Sequence, residues 1–448
     1  MMTDHEMPGA LALLAPLREG RCRARDIVQA HVARIEALEP TVHAWQAFDA
    51  RLPLARADAL DAAPGGAAAQ GPLAGLPVGL KDLIDTRDWP TGFGSAVFAE
   101  RRPAEDAPLV RQLLALGAVP MGKTVTTEFG YFQPGPTANP CNPAHTPGGS
   151  SSGSAAAVAA GMVPLAFGTQ TAGSLIRPAS YCGVWALKAT HGAHALTGVQ
   201  GLSASLDTLG WMARSADDLE LLRAALAGEP WRPLPGTAPR LAWSRTREWP
   251  LMQTGGAATF EAGIARLAQA GVLAREWLPP DPLGGLFEAQ KTIMAHEAAQ
   301  HLAALLAQHG PRLSAPLRQL LDLGLGLGAA EVAAAQALAR QGRAALDTLL
   351  DEVDALVVPA APGEAPAGLL ATGDPAFSRV WNLLGHPCVN VPGLLGPQGL
   401  PVGLQLVGRR GAAGERALLA SARAVGEIIH GMMPGHERRP TIPRRPGP

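Results

Sequence analysis

The stretch from Thr146 to Thr190, TPGGSSSGSAAAVAAGMVPLAFGTQTAGSLIRPASYCGVWALKAT, organises the rest of the sequence. Its 45 residues contain no acidic residue and only two basic ones, Arg177 and Lys188, yet eight Ser and Thr hydroxyls lie between the end threonines. Its seven glycines give the backbone freedom to turn tightly. A hydrophobic core does not need so many hydroxyls. The composition therefore indicates a site that presents hydroxyls and bare backbone N–H groups to a small reactive group.

Composition sets the broad class of the protein. The 448 residues, 47% hydrophobic and 17% charged, can bury a sizeable core in two or three domains or in one large α/β domain. A net charge of −1 with dispersed Lys and Arg gives no footprint for nucleic acid or an anionic membrane. The cysteines are too few and too scattered for a disulfide framework or a zinc site: Cys22, Cys141, Cys182 and Cys388.

The apolar runs of the chain bear on its location. The N-terminal residues lack the basic segment and long apolar run of a signal peptide. No stretch approaches the roughly 20 apolar residues of a membrane-spanning helix. We therefore expect a cytoplasmic protein with no membrane partner.

Hydrophobic periodicity predicts the order of helices and strands. Apolar residues at three-to-four spacing predict helices over 10–39, ended by Pro40, over 106–119, and after an N-cap at Ser215. A small-residue helix is expected at 153–161, and strands are expected at 76–80, 163–171, 240–244, 355–362 and 399–410. Long Ala/Leu helices around 256–270, 285–308 and 329–350 indicate a helical insertion at about 240–350 that covers one side of the core.

Lys81 stands at the end of the apolar run Leu76–Leu80, and taken alone it is explained as a solvated strand end. A different interpretation becomes possible when Lys81 is considered together with the serines of the organising stretch. A serine must lose its proton to an adjacent base, and no acidic residue or zinc cluster accompanies Ser174. A lysine can be that base when burial lowers its pKa, and a second hydroxyl can relay the proton. Ser174 also lies at a Gly/Ala turn whose successive N–H groups can point at one oxyanion. These residue types together suit acyl transfer.

Four other motifs are weaker candidates for chemistry. Residues 149–153 match GxSxG, but the nucleophile elbow needs a strand directly before it, and NPCNPAHTP stands there. The histidines that bound His296–His301 are five apart, so they do not share a helix face as zinc ligands at i and i+4 would. The GLGLG run at 324–328 lacks the strand and spacing of a dinucleotide loop. His191 and His194 are better explained as polar loop residues than as partners of a serine.

An early aromatic cluster, Phe129, Tyr131 and Phe132, lies in segment 124–137 before a run of prolines that forbids regular structure. The cluster is either the wall of a pocket or a packed loop. If it is the wall of a pocket, this segment would determine substrate specificity together with the region around Trp381.

Five segments together resemble the amidase signature family. They are GLKD at 79–82, TPGGSSSGSAAAVAAG, GTQTAGSLIRPASYCGVWALKAT, SLDTLGWMARSADDL and GLPVGLQLVGRRG, so the resemblance covers most of the chain. It implies that Ser174 is the acyl nucleophile, that Ser150 is a bridging serine with an unusual cis peptide bond, and that Lys81 is the base. It also implies that the oxyanion hole consists of Thr171, Ala172 and Gly173, with the Ser174 N–H. The implied substrate-binding residues are Arg177, Gly149 and Tyr131.

The organising stretch departs from the family's commonest pattern, GTDxGGSIRxPA. Gln170 replaces the aspartate, Ala172 replaces a glycine, and Arg177 stands one place later than the usual arginine. Ala172 keeps its N–H but tolerates a positive φ poorly, so the turn must suit it. The variant is similar to the malonamidase branch, where this arginine engages a substrate carboxylate. Arg177 either does the same through a bidentate fork or braces the loop.

The resemblance implies an α/β fold with a large mixed β-sheet sandwiched by helices, in a single domain over residues 1–448. It implies an amidohydrolase that cleaves a small-molecule amide, including carboxylate-bearing ones, through an acyl-enzyme, with no metal and no cofactor. One alternative is an amidotransferase subunit, similar to the A-type subunit of glutamyl-tRNA amidotransferase, which would supply ammonia to partner subunits. Another is a non-catalytic binding protein of the same fold. Relatives are commonly homodimers.

Overall fold

A mixed sheet of eleven strands runs through the computed structural model, which describes residues 7–431. In chain order the strands are β1 (Trp45–Phe48), β2 (Pro77–Lys81), β3 (Val119–Thr124), β4 (Leu165–Gln170), β5 (Trp185–Lys188), β6 (Thr208–Ala213), β7 (Leu241–Trp243), β8 (Leu273–Glu276), β9 (Ala355–Pro359), β10 (Cys388–Leu395) and β11 (Pro401–Val407). Their order across the sheet is β1-β3-β2-β4-β6-β5-β10-β11-β9-β7-β8. The first six strands thus form one half and the last five the other, joined at the antiparallel β5–β10 pair.

Helices cover the sheet. Those of the described residues are α1 (Ala10–Arg18), α2 (Ala24–Val42), α3 (Arg51–Ala62), α4 (Pro108–Ala115), α5 (Ser152–Ala159), α6 (Ile176–Cys182), α7 (Ala216–Leu226), α8 (Thr254–Gln269), α9 (Leu286–His301), α10 (Ala303–His309), α11 (Ala315–Leu325), α12 (Ala329–Leu350), α13 (Ala376–Leu383) and α14 (Ala412–Ile429). The predicted fold class, a large mixed α/β sheet with flanking helices, is confirmed. Between residues 7 and 431 no single helix has the length and hydropathy to cross a membrane. Within the same residues only α11 and α12 taken together meet both criteria, and these two helices are bent by 100° relative to each other.

Helix ends follow local chemistry more closely than the apolar pattern does. The helix predicted over 10–39 is two helices, because Gly20 directly after α1 takes a left-handed conformation with φ of +69° and the chain turns there. Pro40 lies in the last turn of α2 and does not end it. The predicted cap is confirmed, since Ser215 Oγ accepts the Asp218 N–H at 3.0 Å.

Parallel strands bring the chemistry-bearing segments to one edge of the sheet. β2 is the parallel neighbour of both β3 and β4. Parallel strands end at the same edge, so Lys81 at the end of β2 lies close to the turn that follows β4. The two serine segments end where α5 and α6 begin, at Ser152 and Ile176.

α5 packs tightly because its residues are small. Its residues from Ser152 to Val158 are all buried. A Cβ on Gly153 would lie 2.2 Å from the Ala44 carbonyl oxygen and 2.3 Å from the Val125 nitrogen, so only glycine fits there. The expected close packing of this helix is confirmed, and it fixes the segment that carries Ser150.

Residues 240–350 contribute to two different layers. β7, β8 and α8 belong to the main sheet and its first hydrophobic core. α9 packs against α11, α12 and α13 in a second hydrophobic cluster. The assignment of 240–350 as an insertion, and of the whole chain as one domain, stays a prediction.

Candidate active site

Lys81 is buried at the end of β2 and faces two hydroxyls. Its Nζ donates to Ser150 Oγ at 2.7 Å and to Thr169 Oγ1 at 3.0 Å. The side chain has no exposed surface, and burial lowers the pKa of Lys81 to about 7, an effect that the negative charge of Asp207 opposes. The ammonium form is disfavoured because it has lost its hydration. A substantial fraction of Lys81 is therefore neutral near pH 7 and able to accept a proton.

Ser150 and Ser174 lie on the same cavity wall. The Gly149–Ser150 peptide bond is cis. The Ser151 N–H donates to the Ser174 carbonyl oxygen at 3.1 Å, which ties the two serine segments together. Ser174 is 8% exposed, and its hydroxyl has no hydrogen-bond partner among the residues described. Hydrogen bonds of catalytic groups are often long before substrate binds, so a free Ser174 hydroxyl beside Ser150 suits a nucleophile.

The turn after β4 leaves its backbone donors unused. Within residues 7–431, the N–H groups of Ala172, Gly173 and Ser174 have no acceptor. Gln170 stabilises the turn, because its Oε1 accepts hydrogen bonds from the N–H groups of Leu175 at 3.0 Å and Ile176 at 3.1 Å. A side-chain oxygen is thus available to accept these two bonds although Gln170 stands where the commonest pattern has an aspartate. Ala172 has no positive φ, so the turn suits an alanine.

Arg177 both braces the site and keeps free donors. Its Nη2 donates to the Gly149 carbonyl oxygen at 2.6 Å and to Thr372 Oγ1 at 3.2 Å. Its Nε and Nη1 are buried and have no partner in the described part of the chain. Burial lowers the pKa of Arg177 to about 10, so the guanidinium stays charged at neutral pH. A buried charge with unused N–H groups calls for an acceptor.

A cavity that opens to solvent joins these groups. Its wall consists of Thr127, Gly130, Tyr131, Phe132, Ser150, Thr171, Ala172, Gly173, Ser174, Arg177, Leu202, Met294, Thr372 and Pro375. The aromatic cluster divides between the two predicted roles. Tyr131 and Phe132 belong to the wall of the cavity, whereas Phe129 packs against Phe93 and Phe98. Lys81 and Gly149 are not lining residues: Lys81 is bonded to Ser150 behind the wall, and the Gly149 carbonyl oxygen accepts from Arg177.

Comparisons with known proteins bear on this constellation. A family model described as Amidase matches residues 26–419. The chain belongs to the amidase family. It is 32% identical to the A-type subunit of glutamyl-tRNA(Gln) amidotransferase from Synechococcus sp. (strain WH7803), over 88% of this chain and 91% of that protein. The corresponding protein of Thermus thermophilus is 33% identical, over 95% and 97%.

Solved structures give the same assignment. Native peptide amidase from Stenotrophomonas maltophilia superposes with a TM-score of 0.78 and 29% identity, over 96% of this chain and 98% of that one. Fatty acid amide hydrolase shares the fold, with a TM-score of 0.84 at 20% identity. The predicted family is thereby confirmed, and the protein is an amide-hydrolysing enzyme.

Three further residues of this amidase were not singled out in the sequence. Thr169 is the second hydroxyl on Lys81. Asp207, in the SLDT segment, accepts the Thr171 hydroxyl at 2.5 Å and the Leu202 N–H at 2.7 Å. Lys123 forms a buried ion pair with Asp82 at 3.1 Å. Thr169 and Asp207 stand in two of the quoted family segments, at GTQT and SLDT, whereas the contact between Lys123 and Asp82 depends on strand pairing that the sequence does not reveal.

Of the motifs set aside as weak, the GxSxG match contains Ser150 of the cavity wall, whereas the others contribute no lining residue. No strand lies between β3 and α5 in the described chain, so the GxSxG match is not a nucleophile elbow. One ring nitrogen of His191 lies 3.1 Å from the Ala204 carbonyl oxygen, and His194 packs on Trp211 at 5.6 Å between ring centroids. Among residues 7–431 no group of three or more His, Cys, Asp or Glu is arranged to hold a metal ion.

Proposed function

We propose that this amidase cleaves small-molecule amides through an acyl-enzyme on Ser174, with Ser150 and Lys81 as the proton relay. The observation that carries the proposal is the 2.7 Å hydrogen bond between Ser150 Oγ and the buried Nζ of Lys81. A lysine with a pKa of about 7 is matched to a general base at neutral pH. The resemblance of the serine segments to the signature of the family adds to this support.

The chemistry follows from the order of the groups. Ser174 Oγ attacks the amide carbonyl carbon, its proton passes to Ser150, and the Ser150 proton passes to neutral Lys81. Collapse of the tetrahedral intermediate breaks the C–N bond, and the relay returns the proton to the leaving amine. Water then attacks the acyl-enzyme, gives its proton to the same relay, and releases the carboxylic acid with free Ser174.

The oxyanion of each tetrahedral intermediate is held by the turn at 171–174. The free N–H groups of Ala172, Gly173 and Ser174 support this part of the proposal. Donors fixed in place before the substrate binds need no reorganisation as the charge develops. Thr171, whose hydroxyl and carbonyl oxygen are both bonded to other side chains, holds the turn in place.

The substrates that suit the cavity best carry a carboxylate next to the amide. Arg177 lines the cavity beside Ser174 and has two buried nitrogens without partners. A carboxylate can accept from a guanidinium at two points and would satisfy them. Tyr131 also lines the cavity, and Gly149, which precedes Ser150 and is bonded to Arg177, is the third substrate-binding residue of this proposal.

The first experiment measures ammonia or amine release from matched amides with and without a carboxylate, using wild type, Ser174→Ala and Arg177→Gln. We expect Ser174→Ala to lose turnover of every amide. Arg177→Gln should raise KM at least tenfold for carboxylate-bearing amides and change KM for neutral ones by less than about threefold, since one buried charge-assisted bond contributes about 1.5–3 kcal/mol. Full activity of Ser174→Ala would contradict the acyl-enzyme. An equal effect of Arg177→Gln on both classes would leave it a brace.

A second candidate is an amidotransferase component that supplies ammonia to partner chains. The curated relatives named as part of glutamyl-tRNA(Gln) amidotransferase favour it. Hydrolysis by the purified chain alone, at rates typical of enzymes of about 1–1000 per second, would exclude a requirement for partners. Activity that appears only with added partner chains would establish one.

The remaining parts of the proposal concern the state of the protein. A homodimer rests on the family resemblance and is tested by light scattering. A cytoplasmic location is supported by the free thiols of Cys22, Cys141, Cys182 and Cys388. The non-catalytic binding role considered from the sequence is not retained, because the chain belongs to a family of amide-hydrolysing enzymes.

A further inference from the structure

The carbonyl group of Thr171 is held by two side chains from outside the signature segments. Gln290 Nε2, in α9, donates to the Thr171 oxygen at 3.0 Å. Asn382 Nδ2, in α13, donates to the same oxygen at 2.7 Å. Both side chains are completely buried. Two elements that lie more than 100 residues away in sequence therefore meet at one backbone atom of the turn after β4.

Fixing this oxygen fixes the direction of the next N–H. The Thr171–Ala172 peptide is trans, since the cis bonds of the described chain lie elsewhere. In a trans peptide the C=O and N–H point in opposite directions across one plane. The two amide donors occupy the carbonyl side, so the Ala172 N–H points away from them. Ala172 lines the cavity next to Ser174, and its N–H has no acceptor in residues 7–431.

The two amides cannot exchange their oxygen and nitrogen ends. Gln290 Oε1 accepts from Arg379 Nη1 at 2.5 Å, and a guanidinium can only donate. The nitrogen of Gln290 must therefore face Thr171. Asn382 donates its other N–H to the Leu206 carbonyl oxygen at 3.0 Å, so both its bonded neighbours are acceptors. Each amide is oriented by its own partners before it meets Thr171.

We propose that Gln290 and Asn382 are positioning residues that aim the Ala172 N–H at the substrate oxyanion, with Arg379 orienting Gln290. Neither side chain touches the substrate, and both act through the Thr171–Ala172 peptide. Two hydrogen bonds to the carbonyl oxygen also polarise that peptide and make its N–H a stronger donor. The inference rests on the acyl-transfer function proposed above and adds to it the residues that hold the oxyanion turn.

The test uses Gln290→Glu in the full chain. Glutamate keeps the size of the side chain and an oxygen for Arg379, but it places an acceptor against the Thr171 carbonyl. We expect kcat to fall about 10- to 100-fold with KM within threefold, somewhat less than direct removal of an oxyanion donor, which costs about 100- to 1000-fold. Lys291→Ala is the matched control, because Lys291 follows in the same helix and its side chain contacts exposed Glu288 and the Phe287 ring, neither of which reaches Thr171. Its kcat should be that of wild type.

A boronic acid separates this inference from the proposed function. It forms a tetrahedral adduct on a reactive serine whatever amide the enzyme prefers, so its affinity reports the oxyanion turn directly. We expect Gln290→Glu to weaken boronic acid binding by the same factor as kcat, while binding of the product carboxylate stays within threefold. Asn382→Asp should repeat the pattern if Gln290→Glu does not fold. Wild-type kcat and boronic acid affinity in a folded variant, or a change in KM alone, would overturn the inference. Loss of amide turnover in Ser174→Ala, with wild-type turnover in Gln290→Glu, would support the proposed function and overturn this inference. Wild-type turnover in Ser174→Ala would overturn the proposed function itself.

Discussion

At the residue scale, the pKa of Lys81 decides the pH range in which the proposed relay works. Burial lowers this pKa to about 7, and the relay needs the neutral amine. We therefore expect kcat/KM to fall about tenfold per pH unit below pH 7 and to level off above about pH 8. The measurement is kcat/KM between pH 5 and 9 for a neutral amide. A rate that stays constant down to pH 5 would contradict a lysine base.

Asp207 provides the matched variant for this pH profile. Its negative charge opposes the effect of burial and holds the pKa of Lys81 higher than burial alone would. Asp207→Asn retains an oxygen for the Thr171 hydroxyl and removes the charge. The acidic limb of the profile should therefore move to lower pH, whereas a limb due to another group would stay in place.

The residues that we propose take part in the reaction could be singled out from the sequence, and those that we propose support them could not. Ser150, Ser174 and Lys81 stand in segments whose composition and spacing are unusual, so a family resemblance could single them out. Gln290 and Asn382 lie in ordinary helices with no local signal. Their contact with Thr171 exists only after α9 and α13 have packed on the sheet.

At the element scale, α5 depends on the absence of one side chain. Gly153→Ala would place a methyl group 2.2 Å from the Ala44 oxygen and 2.3 Å from the Val125 nitrogen, and neither backbone atom can move cheaply. We expect overpacking to cost about 1–3 kcal/mol or more of unfolding free energy and to displace Ser150, so that activity falls as well. Gly328→Ala is the control, because its Cβ would meet no atom within 4 Å. Equal denaturation midpoints for the two variants would refute this packing argument.

Element boundaries show where sequence patterns are informative. Strands and helices were predicted near their observed positions because burial follows the alternation of apolar residues. The break between α1 and α2 was missed since one glycine conformation outweighs a continuous apolar stripe. The cap at Ser215 was predicted correctly because the hydroxyl and its N–H partner are three residues apart.

At the scale of the whole molecule, the proposed base lowers the stability of the fold. The pKa of Lys81 is about 7 in the folded protein and 10.5 as its ordinary value, so the unfolded chain binds the proton more tightly between these pH values. Stability should therefore rise from pH 7 towards pH 10. Lys81→Met removes this penalty, and we expect it to be inactive yet more stable by about 1–4 kcal/mol at pH 7, since one pKa unit corresponds to about 1.4 kcal/mol.

Urea denaturation at pH 7 and pH 10 measures this difference. The gain of Lys81→Met over wild type should shrink at the higher pH, because pH 10 is close to the ordinary lysine pKa of 10.5, so protonation stabilises the unfolded wild-type chain much less there than at pH 7. Lys291→Met, at an exposed position, controls for the loss of a lysine as such. A gain that does not change with pH would mean that packing, not ionisation, sets the effect.

The two halves of the sheet also suggest how such an enzyme can acquire new substrates. Lys81, Ser150 and Ser174 come from the half built by β1–β6, whereas Met294, Thr372 and Pro375 on the cavity wall come from the chain after β7. Part of the cavity wall is thus encoded by a stretch of the gene separate from the proposed proton relay, whereas Arg177 and Tyr131 are encoded beside that relay. Random changes could be confined to the second stretch, and the proton relay would be inherited unaltered. The inheritance has one condition, which is that Gln290 and Asn382 remain to hold the turn.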